Sequence, residues 1–264
     1  MCIRDRTTII EPYPTRDHTE NLLSLFGAEI SVEMDEGKKR VSLTGQPELI
    51  AQDIRVPGDF SSAAFPLVAA LIIPGEGVLM ENICLNQFRT GLIDTLKEMG
   101  AKIRIENKKV LSGEQVGDIF VKFGPLRGVK VPSGRVPKMI DEFPILAVAA
   151  ACAEGQTIFE GVSELRFKES DRLDAIAKGL SSCGVEVEET EDKIIIFGKG
   201  TPPLGGGCVF SKMDHRIAMA FLILGMVTEK PVVVDDVSYI DTSFPDFVIA
   251  MNRLGGDLRT DEGS

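Results

Sequence analysis

Four stretches of the chain place apolar residues at helical spacing, stop at a glycine and then alternate polar with apolar positions. They are NLLSLFGAEISVE from Asn21, LIDTLKEMGAKIRIE from Leu92, AIAKGLSSCGVEVEE from Ala175 and FVIAMNRLGGDLRT from Phe247. In each, apolar residues at i, i+3, i+4 and i+7 predict an amphipathic helix. The glycine (Gly27, Gly100, Gly184 or Gly255) predicts a left-handed cap, and the period-two run after it predicts a strand. Successive glycines are roughly 70–85 residues apart, so the repeat is a whole supersecondary unit rather than a hairpin.

A second element recurs between those helices. SSAAFPLVAALIIPGEG from Ser61, DEFPILAVAAACAEG from Asp141 and DHRIAMAFLILGMVTEK from Asp214 open with polar residues and continue as small, apolar, helix-length runs, which predicts buried helices. In the first two, the Phe-Pro pair is expected near the helix start, where the missing amide costs little. Strand-like runs follow each: VLMENI, TIFEGV and PVVVDDV. The expected class is α/β (α+β), built of repeated β-α-β-α-β-β units with one buried and one amphipathic helix each. VPGD, from Val56 to Asp59, is the expected boundary. It divides a truncated unit in residues 1–56 from three nearly whole units in residues 57–264. The first six residues, MCIRDR, fit neither pattern and read as a foreign start before Thr7, so the sequence reads as a fragment.

Composition narrows the function. The 264 residues are 44% hydrophobic, enough for a substantial core. Lys and Arg total 29 against 40 Asp and Glu, a formal net charge of -11, which argues against a nucleic-acid or anionic-membrane surface. Any anionic ligand must then be met by a local basic cluster. No apolar run reaches the roughly 18 residues of a membrane span and no secretory signal opens the chain, so the expected location is the cytoplasm. Five scattered cysteines without C-x-x-C spacing indicate neither a disulfide framework nor a zinc site.

Against that acidic background one cluster stands out. FKESDRLDAI, from Phe167 to Ile176, crowds Lys168, Glu169, Asp171 and Arg172 at the start of a helix whose apolar stripe is Leu173, Ile176, Ala177 and Leu180. Ser170 or Asp171 is the expected N-cap. Free amides, the positive dipole end and adjacent Lys168 and Arg172 make such a start an anion site, with Glu169 placed for proton transfer. The alternative is a solvated helix start whose charges pair locally. Asp214-His215-Arg216 and Asp141-Glu142 open two of the buried helices. If the units pack around a pseudo-symmetry axis, these helix starts converge on a multiply anionic ligand. Thr15-Arg16-Asp17-His18-Thr19-Glu20 is a third polar cluster, with Thr15 or Asp17 as a capping residue in its simplest reading.

The segments RFKESDRL, MIDEFPILAVAAA, MDHRIAMAFLILG, SFPDF and TRDHTENLL, in that family's order, together resemble the 5-enolpyruvylshikimate-3-phosphate synthase family, most closely its glyphosate-insensitive bacterial class. The resemblance covers Thr7 to the C-terminus. It implies the enolpyruvyl transferase inside-out α/β barrel, here truncated at the N-terminus. The implied reaction moves the enolpyruvyl group of phosphoenolpyruvate to the 5-hydroxyl of shikimate 3-phosphate, with no metal or redox cofactor, in an enzyme that is monomeric when complete. By resemblance Asp141 takes the hydroxyl proton, Lys168 bridges the substrates and Glu169 protonates the phosphoenolpyruvate methylene. Arg172 and Arg216 grip that substrate's carboxylate and phosphate, His215 and Asp214 support them, and Arg16 reaches the shikimate phosphate from the other domain. Two departures matter. The lysine that many relatives carry before T-F-P-D is absent from Asp241-Thr242-Ser243-Phe244-Pro245, and the family's opening portion, with further substrate contacts, has no counterpart. The chain alone is therefore expected to be inactive. The alternatives are a UDP-N-acetylglucosamine enolpyruvyl transferase, a non-catalytic module that binds phosphorylated ligands, and a repeat scaffold without a ligand.

Overall fold

A computed structural model describes residues 5–259. Residues 1–4 of the unusual start, with Cys2, and Thr260 at the other end lie outside the described residues. Arg6 already stands opposite Thr44 in the first strand, one residue ahead of the expected beginning at Thr7. Strand β1 (Arg6–Glu11), helix α1 (His18–Leu25) and strands β2 (Ile30–Asp35) and β3 (Lys38–Thr44) form an antiparallel sheet in the order β1-β3-β2. Lys39 of β3 is 1% exposed and pairs with Glu20 of α1 at 2.5 Å and Glu11 of β1 at 3.3 Å, tying the helix to the sheet. Residues 45–57 carry neither helix nor strand.

The larger part begins where Gly58 bridges in parallel to Ile83. After it come α2 (Phe60–Ile72), β4 (Val78–Cys84), α3 (Gly91–Glu98), β5 (Lys102–Leu111) and β6 (Glu114–Lys122), with sheet order β4-β6-β5. Next are β7 (Lys130–Val131), α4 (Phe143–Cys152), β8 (Glu154–Glu160), α5 (Arg172–Ser182), β9 (Glu186–Glu189) and β10 (Lys193–Lys199), ordered β7-β8-β10-β9. Last come β11 (Cys208–Val209), α6 (His215–Gly225), β12 (Val233–Val234) and α7 (Phe247–Arg253).

The β7-to-β10 segment is the expected β-α-β-α-β-β unit in full. In the unit before it, the single Gly58 bridge stands for the leading strand. In the unit after it, β11 and β12 pair in parallel as β7 and β8 do. The strand expected after Gly255 is not formed over Gly256–Arg259. The β1-α1-β2-β3 segment repeats the path of β8-α5-β9-β10, outer strand, helix and hairpin, so the small sheet has the form of half a unit.

The three apolar helices α2, α4 and α6 pack on one another with the sheets outside them. Every α4 residue from Phe143 to Ala151 is buried, as an all-apolar helix requires. Each fully buried Leu, Ile or Phe there contributes about 1.5–3 kcal/mol. Gly27, Gly100, Gly184 and Gly255 have φ of 94°, 95°, 83° and 102°, so all four predicted caps are left-handed. Pro144 sits in the first turn of α4 as expected, but Pro66 lies inside α2. The reason is that Asp59 caps α2 early, accepting from the Ser62 amide at 2.8 Å, and the buried proline ring then displaces the bond the Ser62 carbonyl would have received. Gly179 of α5 sets the next contact: a Cβ there would lie 2.3 Å from the Phe221 ring of α6. Close approach of α5 and α6 brings their first turns together.

Candidate functional site

Those first turns carry the charges singled out in the sequence. Asp171 is the N-cap of α5, accepting from the Asp174 amide at 3.0 Å. Ser170, the other candidate cap, instead donates to Asp214 Oδ2 at 3.0 Å. Asp214 caps α6 by accepting from the Arg216 amide at 3.0 Å and also receives Arg172 Nε at 2.8 Å. Both Asp214 and Arg172 have no exposed side-chain surface. Arg172 Nη2 donates to Glu169 and, at 3.4 Å, to Asp214 Oδ1, and Nη1 donates to Asp141 Oδ1 at 3.3 Å. One guanidinium therefore joins three carboxylates from the starts of three helices.

Asp141 lies in the 3-10 turn Ile140–Glu142 that leads into α4. Arg16, from the β1–α1 connection, donates directly to its Oδ2, and Arg216 Nη2 stands 3.9 Å from the same oxygen. Burial alone would raise this carboxyl, but Arg216, Arg16 and Arg172 outweigh it and bring the group from 3.8 to about 2. A carboxyl lowered on folding stabilises the fold above its ordinary pKa, and that contribution drains away as pH falls from about 4 to about 2. After allowance for solvent screening it amounts to about 1–2 kcal/mol. Urea unfolding between pH 5 and pH 2 should show the chain losing that much more than its Asp141→Asn variant; parallel losses would contradict the assignment.

Arg216 is the least committed cation of the group. Its Nη1 donates to the Asp141 carbonyl at 3.4 Å, a long bond, and its Nε is buried with no partner among the described residues. His215, beside it, is held below the ordinary imidazole range by burial, with the Arg216 charge adding to the effect. Among the described residues its ring makes no hydrogen bond to the cluster. Lys168 also stands apart: its Nζ is held by Glu164 at 2.5 Å, one helical turn back. Glu164, with Tyr13, Pro14, Phe88 and Lys138, lines a cleft of about 710 Å³ between the small sheet and the larger part. None of the carboxylate–arginine cluster lines that cleft.

The cluster from Thr15 to Glu20 is not a simple cap. Asp17 occupies the N-cap position of α1 without capping it. Its Oδ1 accepts from Asn86 Nδ2 at 2.6 Å instead. His18 Nδ1 meets Glu114 Oε1 at 2.7 Å, and Glu114 also accepts from Asn21 at 3.3 Å and Asn86 at 3.2 Å. His18, Cys84 and Glu114 bring ligand atoms within 4.8 Å of one another, but both Glu114 oxygens are engaged in this network. The network fastens α1 to the β4–β6–β5 sheet and thereby places Arg16 over Asp141. The sequence reading did not single out Ser170's bond to Asp214, Glu164 as the Lys168 partner, or a relay from Asp59 through Arg89 and Ser61 to Glu142. Those partners lie tens of residues apart in most cases, and no local signal marks them.

The arrangement can hold a small polyanion: guanidinium groups converge from two helices and the β1–α1 connection on carboxyl groups able to exchange protons. The family model of EPSP synthase (3-phosphoshikimate 1-carboxyvinyltransferase) matches residues 1–251. The chain is 54% identical over 254 residues to the 3-phosphoshikimate 1-carboxyvinyltransferase of Chelativorans sp. (strain BNC1), covering 96% of this chain and 57% of that protein. It is 55% identical over 257 residues to the protein of the same name from Granulibacter bethesdensis, at 97% and 57% coverage. The EPSP synthase structure from Acinetobacter baumannii aligns with a TM-score of 0.88 and 44% identity over 95% of this chain and 57% of that one. The chain thus spans about 57% of the length of the curated relatives it matches.

Proposed function

This chain belongs to the EPSP synthase family, and on that footing we propose that it carries the catalytic half of an enzyme that transfers enolpyruvyl from phosphoenolpyruvate to the 5-hydroxyl of shikimate 3-phosphate. The observation that carries the reading is the single constellation of Asp141, Glu169, Arg172, Asp214 and Arg216, with Arg16 added from the small sheet. In this reading residues 57–264 are a three-unit domain and residues 1–56 a remnant unit of a second domain. The complete enzyme is then a monomer of the cytoplasm. No helix among the described residues is long and apolar enough to cross a membrane.

Arg216 and Arg172 grip the carboxylate and phosphate of phosphoenolpyruvate; the unpartnered Nε of Arg216 is a donor ready for an oxyanion. Arg16 takes the shikimate phosphate and so releases Asp141. Phosphate charge beside the arginines cancels the field that holds Asp141 near 2, making it a stronger base for the hydroxyl proton. The freed oxygen attacks C2 while Glu169 gives a proton to the methylene carbon. The tetrahedral adduct then expels phosphate, which leaves with the proton held by Asp141, while the Glu169 carboxylate takes back a methyl proton and the vinyl group is restored. Lys168 leaves Glu164 to bridge both substrates, Asp214 holds Arg172 by its ion pair, and His215 supports Arg216 as its neighbour in the first turn of α6.

Because the chain spans 57% of its relatives, turnover is assigned to the chain together with the portion of a relative that it does not match. Joined to that portion, the chain is expected to release phosphate only when both substrates are present, while the chain alone releases none. Silence of a well-folded hybrid would overturn the proposal.

A further inference from the structure

Behind Arg216 lies a second carboxyl that the reaction above does not use. Glu142, 3% exposed, ends the turn that carries Asp141. Its Oε1 accepts from Ser61 Oγ at 2.5 Å and lies 4.0 Å from Arg216 Nη1. Ser61, in the first turn of α2, receives Arg89 Nη2 at 2.8 Å, and Arg89 is held by Asp59 at 2.7 Å. The groups facing Glu142 are thus Ser61 and Arg89 on one side, Arg216 of α6 on the other, and Asp141 in its own turn. Arg89 spends its charge on Asp59, and Arg216 stops short of a hydrogen bond to Glu142. Burial pushes the Glu142 carboxyl up, and the Asp141 charge adds to this against Ser61, Arg216 and Arg89.

We propose that Glu142 is a positioning residue that takes up a proton when an anion enters beside Arg216, so that the guanidinium turns its whole charge to the ligand. The inference rests on the reading of Arg216 as an anion-gripping residue. An oxyanion on Arg216 lies close to Glu142 and disfavours its carboxylate, so anion binding and proton binding favour each other. By reciprocity the affinity owed to this linkage rises as pH falls through the titration of Glu142, by at most about tenfold per pH unit. The phosphate of phosphoenolpyruvate has a second pKa near 6 and pulls the other way, so the signal is the difference between the chain and its Glu142→Gln variant. Gln keeps the shape and can still accept from Ser61.

Calorimetric titration of the chain with phosphoenolpyruvate between pH 5.5 and 8.5, in two buffers of different ionisation heat, reads both affinity and protons taken up. The unaltered chain is expected to take up a fraction of a proton that Glu142→Gln does not, and the variant should bind about tenfold more tightly at the alkaline end. Ser61→Ala, which removes the bond favouring the carboxylate, should move the linked uptake to higher pH. Equal proton uptake and parallel affinity profiles for the chain and Glu142→Gln would overturn the linkage while leaving the site intact. Absent binding, or binding that Arg216→Ala leaves unchanged, would overturn the reading of Arg216 and this inference with it.

Discussion

Replacing Arg172 by Met is expected to destabilise the chain by about 3–5 kcal/mol at pH 7. The guanidinium has no exposed surface and is the only cation in contact with Asp214, which is equally buried, among the described residues. Removing it leaves Asp214 a carboxylate in a dry site with only Ser170 and the Arg216 amide as donors. Asp141 keeps Arg16, and Glu169 is half exposed, so neither adds much to the loss. The damage should therefore be repaired in large part by Asp214→Asn in the same chain, because the uncompensated charge is what costs most. Arg172→Lys should not substitute: one ammonium cannot reach three carboxylates that a planar fork spans. Urea unfolding of the single and double variants checks this. A single-variant loss under about 1 kcal/mol would mean that Asp214 does not depend on Arg172, and the ion-pair account of these converging helix starts would fail.

The same pair shows where reading the sequence stops. The repeated architecture was legible because each device is local: the apolar stripe, the Gly cap and the alternating strand sit within fifteen residues of one another. All four left-handed glycines and all three buried helices followed from that pattern. So did the clustering of charges at the helix starts. Pro66 did not, since the cap that decides its position is a side-chain bond from Asp59. What each charge is for depends on distances the sequence does not carry. Asp214 and Arg172 face each other across 42 positions and bury their charges completely. Arg16 and Asp141 meet across 125 positions. The His18–Glu114 pair, 96 positions apart, gives the histidine of the Thr15–Glu20 cluster a fastening role that no spacing rule predicts.

Glu169 lies at the opposite extreme from Arg172 in exposure. Its side chain is 49% exposed, and its one hydrogen bond among the described residues is from Arg172 Nη2. Glu169→Gln keeps the volume and leaves an amide oxygen to accept the same N–H, so the fold should lose no more than about 0.5 kcal/mol. What disappears is a proton that can be given to carbon. In the hybrid with the unmatched portion of a relative, kcat for phosphate release is expected to fall about 100- to 10,000-fold, the range for a lost general acid, while KM for phosphoenolpyruvate changes little because the gripping arginines remain. Steady-state phosphate release together with urea unfolding of the same preparations tests both halves. A kcat within tenfold of the parent would reassign the proton to another group, with Lys168, freed from Glu164, the first to test by substitution. A large stability loss with no specific loss of rate would instead make Glu169 part of the charge balance around Arg172. The expected split, intact fold with collapsed turnover, is the result that only a carboxyl acting on substrate produces.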